Sequence, residues 1–233
     1  SVNGKKEGRK RIFTFFTSKN ALQNSSRIHL RWPMCALLSM TRPSTWWNCG
    51  VWVASESLRK VRPGATMRIG GSARYFSDVA TRGELAQAWA LAQEKQLPLI
   101  VLGAGSNTIF ADGEIAAFVV RIKASRMQQS GTTVTAEAGC YLASLVSELA
   151  TYGLDLSALT GIPGTLGGAV AGNVGQGIHG VWIDRFITSV TVFDEGKWKT
   201  LSREACRFGY RDSLWKQASS APIIWEVVMS IPE

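Results

Sequence analysis

GIPGTLGGAVAGNVGQGIHG, residues 161–180, decides how the rest of the sequence is read. Eight of its twenty positions are glycine (161, 164, 167, 168, 172, 175, 177 and 180), out of 23 in the whole chain. Glycine weakens any regular element it interrupts. It is used where backbone takes positive φ or comes close to something flat or charged. Ile162, Pro163, Leu166, Val170, Val174 and Ile178 are interspersed, and floppy linkers do not carry so many apolar anchors. The stretch is expected to be backbone laid against a ligand, with the rest of the chain as its scaffold.

A second glycine-rich turn lies roughly 55 residues upstream, at Leu102-Gly103-Ala104-Gly105-Ser106-Asn107. It follows a short apolar run, Pro98 to Leu102, of buried-strand type. Small side chains leave successive backbone N–H groups accessible, which makes a concave nest suited to phosphate. The turn is not a Rossmann fingerprint, because Thr108 stands where glycine is required and Thr108 to Phe110 looks extended rather than helical. It is not a Walker A loop either, since no Gly-Lys-Ser/Thr follows. Taken alone it is equally an ordinary strand-to-strand turn. Two such loops, each packed by apolar neighbours, fit one extended ligand carrying a diphosphate.

The totals bound the class. At 233 residues the chain is one large domain or two small ones, with 45% hydrophobic residues to fill a core. The net charge of +9 is unevenly placed. Residues 1–63 hold 12 of the 26 Lys/Arg and 2 of the 17 acidic residues, a balance of +10. Residues 64–233 hold 14 and 15, a balance of −1. A nucleic-acid enzyme carries basic charge around its site, so the neutral body argues against one. The basic segment stays open between an organelle transit peptide, a nucleic-acid arm and a stretch without specific role, and no function is assigned to it. Cys35, Cys49, Cys140 and Cys206 are widely spaced and the chain has two histidines, so neither a disulfide framework nor a zinc site is expected. A reducing, cytoplasmic setting follows. No apolar run reaches the ~18–20 residues of a membrane span.

The body from about Gly64 has an α+β pattern. Thr66 to Phe76 starts as a strand and breaks at Gly70-Gly71. Thr81 and Glu84 form a capping box ahead of Leu85, Ala88, Trp89 and Ala92, which predicts a helix over 82–96. Ala117 to Ile122 and Thr132 to Ala138 are strands. Leu142, Leu145, Val146 and Leu149 make a second amphipathic helix, closed by Gly153. Ile187 to Phe193 and Lys197 to Leu201 flank Asp194-Glu195-Gly196 as a hairpin. Ser202 to Tyr210 is a helical turn running into a loop, and Pro222 to Ile231 is a last strand.

Phe208-Gly209-Tyr210-Arg211-Asp212-Ser213 carries the remaining chemistry. A guanidinium stays charged and grips a carboxylate in a two-pronged fork, so Arg211 is a candidate receptor for an acidic substrate, with Tyr210 and Ser213 as donors beside it. The alternative is an ordinary surface pair with Asp212 or Asp184. His179, the one histidine of the body, is either a ligand contact or an exposed loop residue.

RIGGSARYF (68–76), LGAGSN (102–107), AGC (138–140), GIPGTLGGAVAGNVG (161–175) and CRFGYRDSLWK (206–216) stand in the order and spacing of one family. Over about residues 64–233 the chain resembles the flavin-dependent UDP-N-acetylenolpyruvoylglucosamine reductases of peptidoglycan synthesis. The resemblance implies an FAD-binding domain of the vanillyl-alcohol-oxidase (PCMH) type, made of two α+β subdomains, about 64–125 and 126–233, with the flavin between them. It implies FAD as cofactor and NADPH as hydride donor. The reaction is reduction of the enolpyruvyl group of a UDP-sugar to UDP-N-acetylmuramate, in a cytoplasmic enzyme of cell-wall biogenesis, cell shape and cell division. By the match, Gly103, Ala104, Gly105, Ser106, Asn107 and Thr108 would cradle the pyrophosphate. Gly161, Ile162, Pro163, Gly164, Thr165, Gly167, Gly168, Asn173 and Gly175 would line the rest of the flavin. Arg211 would stabilise charge developing on the substrate carboxylate, with Tyr210 beside it. No metal, nucleic acid or membrane partner is implied, and oligomeric state is open.

The match has two departures. The family's proton-donor serine and assisting glutamate belong to a third domain, which would begin near Glu233, so the sequence predicts a flavin domain that turns over poorly. The family's Asn-Ala-Gly-Ala-Tyr-Gly is here Asn173-Val174-Gly175-Gln176-Gly177-Ile178, without the tyrosine. Two other readings stay open: another FAD-dependent oxidoreductase of the same fold, and a non-catalytic binding protein that uses the basic segment.

Overall fold

A computed structural model describes residues 59–60, 70–176, 180–218 and 220–233. Apart from Arg59 and Lys60, the basic segment lies outside these residues, and so does His179.

The first sheet is built from β1 (Arg59–Lys60), β2 (Ser72–Val79), β3 (Leu99–Leu102) and β4 (Glu114–Ile122), in the order β1-β2-β4-β3. β4 is central and runs parallel to both β2 and β3. Its side chains alternate: Ile115, Ala117 and Val119 enter one buried cluster, and Phe118, Val120 and Ile122 enter another on the opposite face. Helix α1 (Arg82–Glu94) crosses between β2 and β3. The Thr81 hydroxyl accepts from the Glu84 N–H at 3.2 Å and the Glu84 carboxylate accepts from the Thr81 N–H, so the predicted capping box is formed. Leu85, Ala88 and Ala92 are its buried stripe. β3 differs from the expected fully buried strand. It is an edge strand with Val101 44% exposed, because pairing on one side suffices to fix it. The Gly70-Gly71 break is a crossing of two backbones. A Cβ on Gly71 would stand 1.7 Å from the Gly113 carbonyl oxygen, and the Gly71 N–H donates to the Ala111 carbonyl at 2.8 Å.

The second sheet uses β5 (Met127–Ser130), β6 (Thr133–Glu137), β7 (Ile187–Asp194), β8 (Lys197–Ser202) and β9 (Ile223–Ser230), all antiparallel, in the order β5-β6-β9-β7-β8. The predicted hairpin is β7–β8. Glu195 and Gly196 turn it with φ of 47° and 83°, the paired positive values that suit a two-residue turn. β5, with its polar sequence MQQS, has no apolar alternation and was not expected as a strand. Trp89 of α1 lies against this turn and packs edge-on to Phe193, which contacts Trp198, which in turn contacts Trp225. These rings join α1 to the second sheet, so one continuous buried cluster runs from Leu85 and Phe118 to Trp225 and Leu142.

Helix α2 (Leu142–Thr151) buries Leu142, Leu145 and Leu149. It ends where the Gly153 N–H, at φ 76°, donates to the Ala150 carbonyl. The glycine stretch is not wholly loop. Leu166–Gly172 forms helix α3, because Leu166, Ala169 and Val170 at i, i+3 and i+4 give it a buried stripe that outweighs three glycines. A single-turn helix, α4 (Leu214–Gln217), precedes β9.

Candidate flavin and anion site

The two glycine loops meet in space. The Ser106 hydroxyl donates to the Pro163 carbonyl at 3.2 Å, across 57 residues of sequence. A Cβ on Gly103 would stand 2.4 Å from Thr165 Oγ1, and one on Gly164 would stand 2.9 Å from Ser106 Oγ. Larger residues at either position would force the loops apart. A third segment, 138–142, completes the junction. The Leu142 N–H donates to Gly164, the Leu166 N–H to Cys140, and the Gly167 N–H to Ala138, at 3.0, 2.8 and 2.9 Å. These bonds fix the entry into α3 beside the end of β6.

The upstream loop keeps donors in reserve. Among the described residues, none accepts from the backbone N–H groups of Gly105, Ser106 or Asn107. Gly105 is buried with φ 67°, a conformation natural to glycine. Buried N–H groups are nearly always paired in folded proteins, so such a turn suits an anion. On the downstream loop, Gly161 and Gly168 have faces left open by the described residues. Among the described residues, a Cβ on Gly161 would meet nothing within 4 Å, and one on Gly168 only Thr165 Oγ1 at 3.7 Å.

The far end of α3 organises the second half of the site. Asn173 caps the helix in left-handed conformation, φ 40°, and is 3% exposed. Its Nδ2 donates to the Gly209 carbonyl at 2.8 Å, and its Oδ1 accepts from the Asp184 N–H at 3.3 Å. The amide is thus occupied in fixing two loops. The buried Ser213 hydroxyl donates to the Ala171 carbonyl at 2.6 Å, a structural tie rather than a donor beside Arg211. Gly209 and Asp212 exchange both backbone hydrogen bonds, making a tight turn with Tyr210 and Arg211 at its tip.

Arg211 is exposed, with φ 49°. Neither surface pair open to it is formed. Asp184 pairs with Arg203 at 2.7 Å, and the Asp212 carboxylate accepts from the Ser213 N–H and the Gln217 amide. Among the described residues no carboxylate lies within ion-pair reach of Arg211. Its guanidinium carbon sits 5.7 Å from the Trp182 ring. Trp182 escapes a reading by sequence, because a lone tryptophan just beyond a glycine run has no periodicity to mark it. The same holds for Gln176, whose side-chain amide donates to the Thr160 carbonyl and ties down the start of the departing loop.

The remaining chemistry-bearing groups are quiet. Burial pushes both described thiols, Cys140 and Cys206, up to about 11, so they stay protonated at neutral pH. Among the described residues no group of His, Cys, Asp or Glu could hold a metal, and no helix is long and apolar enough to cross a membrane. α3 spans seven residues, so the glycine junction and the Arg211 turn are separated by roughly 10 Å of helix.

Comparison with known proteins agrees with this layout. The model of the FAD binding domain family matches residues 73–202, more than half of the chain. A UDP-N-acetylenolpyruvoylglucosamine reductase of Trichlorobacter lovleyi is 35% identical over 148 residues, 63% of this chain and 48% of that protein. The chain spans about half the length of the curated relatives it matches. The crystal structure of the UDP-N-acetylenolpyruvylglucosamine reductase from Thermus caldophilus superposes with a TM-score of 0.65 at 30% identity, covering 77% of this chain and 63% of that one. An alkyldihydroxyacetonephosphate synthase shares the fold alone, with a TM-score of 0.54 at 19% identity over 71% of this chain and 32% of that one. The chain belongs to the FAD-binding domain family, and its sequence similarity runs to the UDP-N-acetylenolpyruvoylglucosamine reductases.

Proposed function

We propose that this chain is the flavin-binding part of a reductase that converts the enolpyruvyl ether of UDP-N-acetylglucosamine to UDP-N-acetylmuramate at the expense of NADPH. The observation that carries the proposal is the junction of the two glycine loops through Ser106 and Pro163, with Thr165 against Gly103. Residues 103–108 would receive the diphosphate, using the N–H groups of Gly105, Ser106 and Asn107, from which no described residue accepts. Gly161, Ile162, Pro163, Gly164, Thr165 and Gly168 would lie along the flavin, with Asn173 holding that backbone in place, whereas Gly167 and Gly175, expected there too, face Ala138 and Trp182 instead. The fit rests on shape: Gly161 and Gly168 leave their faces open where a Cβ would intrude on a ligand. Bound there, FAD supplies hydride relay from NADPH to the carbon–carbon double bond of the enol ether, whose other carbon gains a proton.

Arg211 would do the electrostatic work. Reduction of the enolpyruvyl group builds enolate-like charge on the carboxylate, and a preoriented guanidinium stabilises that charge without reorganising. Tyr210, 77% exposed at the same tip, would contact the substrate beside it. The two-subdomain division at about residue 125, the cytoplasmic setting, and the link to cell shape and division through peptidoglycan precursor supply belong to the same proposal.

The test has two parts. The purified chain, freed of flavin and mixed with FAD, is expected to bind one equivalent and show the visible flavin bands; no binding would sink the cofactor assignment. NADPH oxidation by the full polypeptide containing this chain is expected to require UDP-N-acetylglucosamine enolpyruvate. Oxidation of an unrelated alcohol instead would keep the flavin and discard the substrate.

A further inference from the structure

We infer that Trp182 is the positioning residue for Arg211, holding its guanidinium flat so that the N–H edge faces an incoming carboxylate. The inference rests on the proposed reading of Arg211 as the receptor for the enolpyruvyl carboxylate. An exposed arginine with no carboxylate partner samples many rotamers, and each must be lost when an anion is gripped in a two-pronged fork. At 5.7 Å from the Trp182 ring, the guanidinium is within cation–π range, about 6 Å. Held over the indole at that distance, the guanidinium is restricted to fewer orientations while its N–H donors remain available to an anion.

The indole is itself held. A Cβ on Gly175 would stand 2.5 Å from Trp182 Cε3, so the glycine backbone lies directly on the six-membered ring. Gly175 and Trp182 also form a backbone bridge. The Tyr210 ring meets the indole edge-on, with centroids 5.1 Å apart and planes at 72°. Asn173 couples the two loops: one end of its amide fixes Gly209, which opens the Arg211 turn, and the other fixes Asp184, two residues after Trp182. Tryptophan and arginine are therefore referenced to the same buried anchor. The positive φ of Arg211 fits this account. Arginine carries a strain there that glycine would avoid, and the side chain so presented is exposed, with no carboxylate partner among the described residues.

The experiment compares the FAD-loaded protein with Trp182→Leu, Trp182→Phe, Arg211→Lys and the double variant Trp182→Leu/Arg211→Lys. Each is titrated with UDP-N-acetylglucosamine enolpyruvate, following the flavin absorbance and the Arg211 Nε–H resonance by NMR. Trp182→Leu is expected to weaken substrate binding roughly two- to fivefold and to move the free Arg211 resonance. Trp182→Phe should restore most of the loss, and adding Trp182→Leu to Arg211→Lys should cost nothing further. Unchanged affinity in Trp182→Leu, or an equal loss in the Arg211→Lys background, overturns the inference while leaving Arg211 as receptor. If wild-type Arg211 does not respond to the titration and Arg211→Lys binds normally, the underlying reading of Arg211 fails. Loss of FAD from Trp182→Phe would mean that the residue supports the flavin instead, and also overturns the inference.

Discussion

Replacing Gly103 by alanine tests the junction on which the flavin assignment rests. Gly103 does not have positive φ, so alanine brings no backbone strain and its effect is purely one of space. The added Cβ would stand 2.4 Å from Thr165 Oγ1, where ordinary contact begins at 3.4 Å, so the loops must separate by about 1 Å. Thr165 is 5% exposed and has little room to yield. Overpacking of this kind costs about 1–3 kcal/mol. If that falls on the bound state, FAD affinity drops by roughly fivefold to a hundredfold, at about 1.4 kcal/mol per tenfold. The assay is titration of flavin-free protein with FAD, read by flavin fluorescence, with Gly103→Ala, Thr165→Ala and the pair. Removing the threonine hydroxyl should relieve the clash, so the double variant should bind more tightly than Gly103→Ala. Wild-type affinity in Gly103→Ala, or no relief in the pair, would refute the argument that these two loops close on one ligand.

Three further outcomes follow from named contacts. Asn173→Ala removes two buried hydrogen-bond partners, about 1–3 kcal/mol, and puts alanine in left-handed backbone at about 1 kcal/mol more. Urea unfolding should show a loss of about 2–4 kcal/mol, with Asn173→Gly recovering about 1 kcal/mol of it. Arg211→Ala should weaken binding of the UDP-sugar enolpyruvate by about 1.5–3 kcal/mol, the worth of a charged hydrogen bond, and leave FAD binding intact; isothermal titration with both ligands checks the split. The thiols set an alkaline limit. Cys140 and Cys206 are raised from 9.0 to about 11 by burial, so below pH 9 both states are protonated and the stabilisation is whole. As pH rises from about 9 towards 11 the unfolded thiols ionise first and stability falls. A Cys140→Ala/Cys206→Ala variant should flatten that part of the stability–pH curve.

Elements with strong periodicity were legible in the sequence. α1 announced itself through Thr81 and Glu84, and the β7–β8 hairpin through Glu195-Gly196. Both signals are local, so no tertiary context was needed to read them. β5 was invisible because MQQS owes its strand to pairing with β6 and carries no apolar alternation. α3 was hidden by its own composition. Gly167, Gly168 and Gly172 argue against a helix by propensity, and only the burial of Leu166, Ala169 and Val170 against the second sheet overcomes that preference. In the candidate site the backbone loops were legible and the side-chain ties were not. The Ser106 to Pro163 bond, the Asn173 bridge and the Trp182 stack each join residues whose proximity exists only after folding.

Gly167 and Gly168, adjacent in α3, serve two purposes that mutation can separate. Gly167 is a packing glycine: its Cβ would stand 2.9 Å from Ala138 Cβ, and α3 would be pushed off the end of β6. Gly168, next to it, is exposed, and its Cβ would meet only Thr165 Oγ1 at 3.7 Å. Inside a helix glycine is less favourable than alanine by about 0.8–1.0 kcal/mol, and nothing in the packing of the described residues offsets that at Gly168. A ligand lying against the helix face would. Gly168→Ala should therefore raise the stability of the flavin-free protein by up to about 1 kcal/mol while weakening FAD, and Gly167→Ala should lower the stability of both forms. Paired thermal unfolding with and without FAD separates the cases, because a ligand stabilises only in proportion to its affinity. If Gly168→Ala stabilises the flavin-free and FAD-loaded proteins equally, the open face of α3 is not where the flavin lies, and the cofactor must be sought on the Gly103–Thr108 side alone.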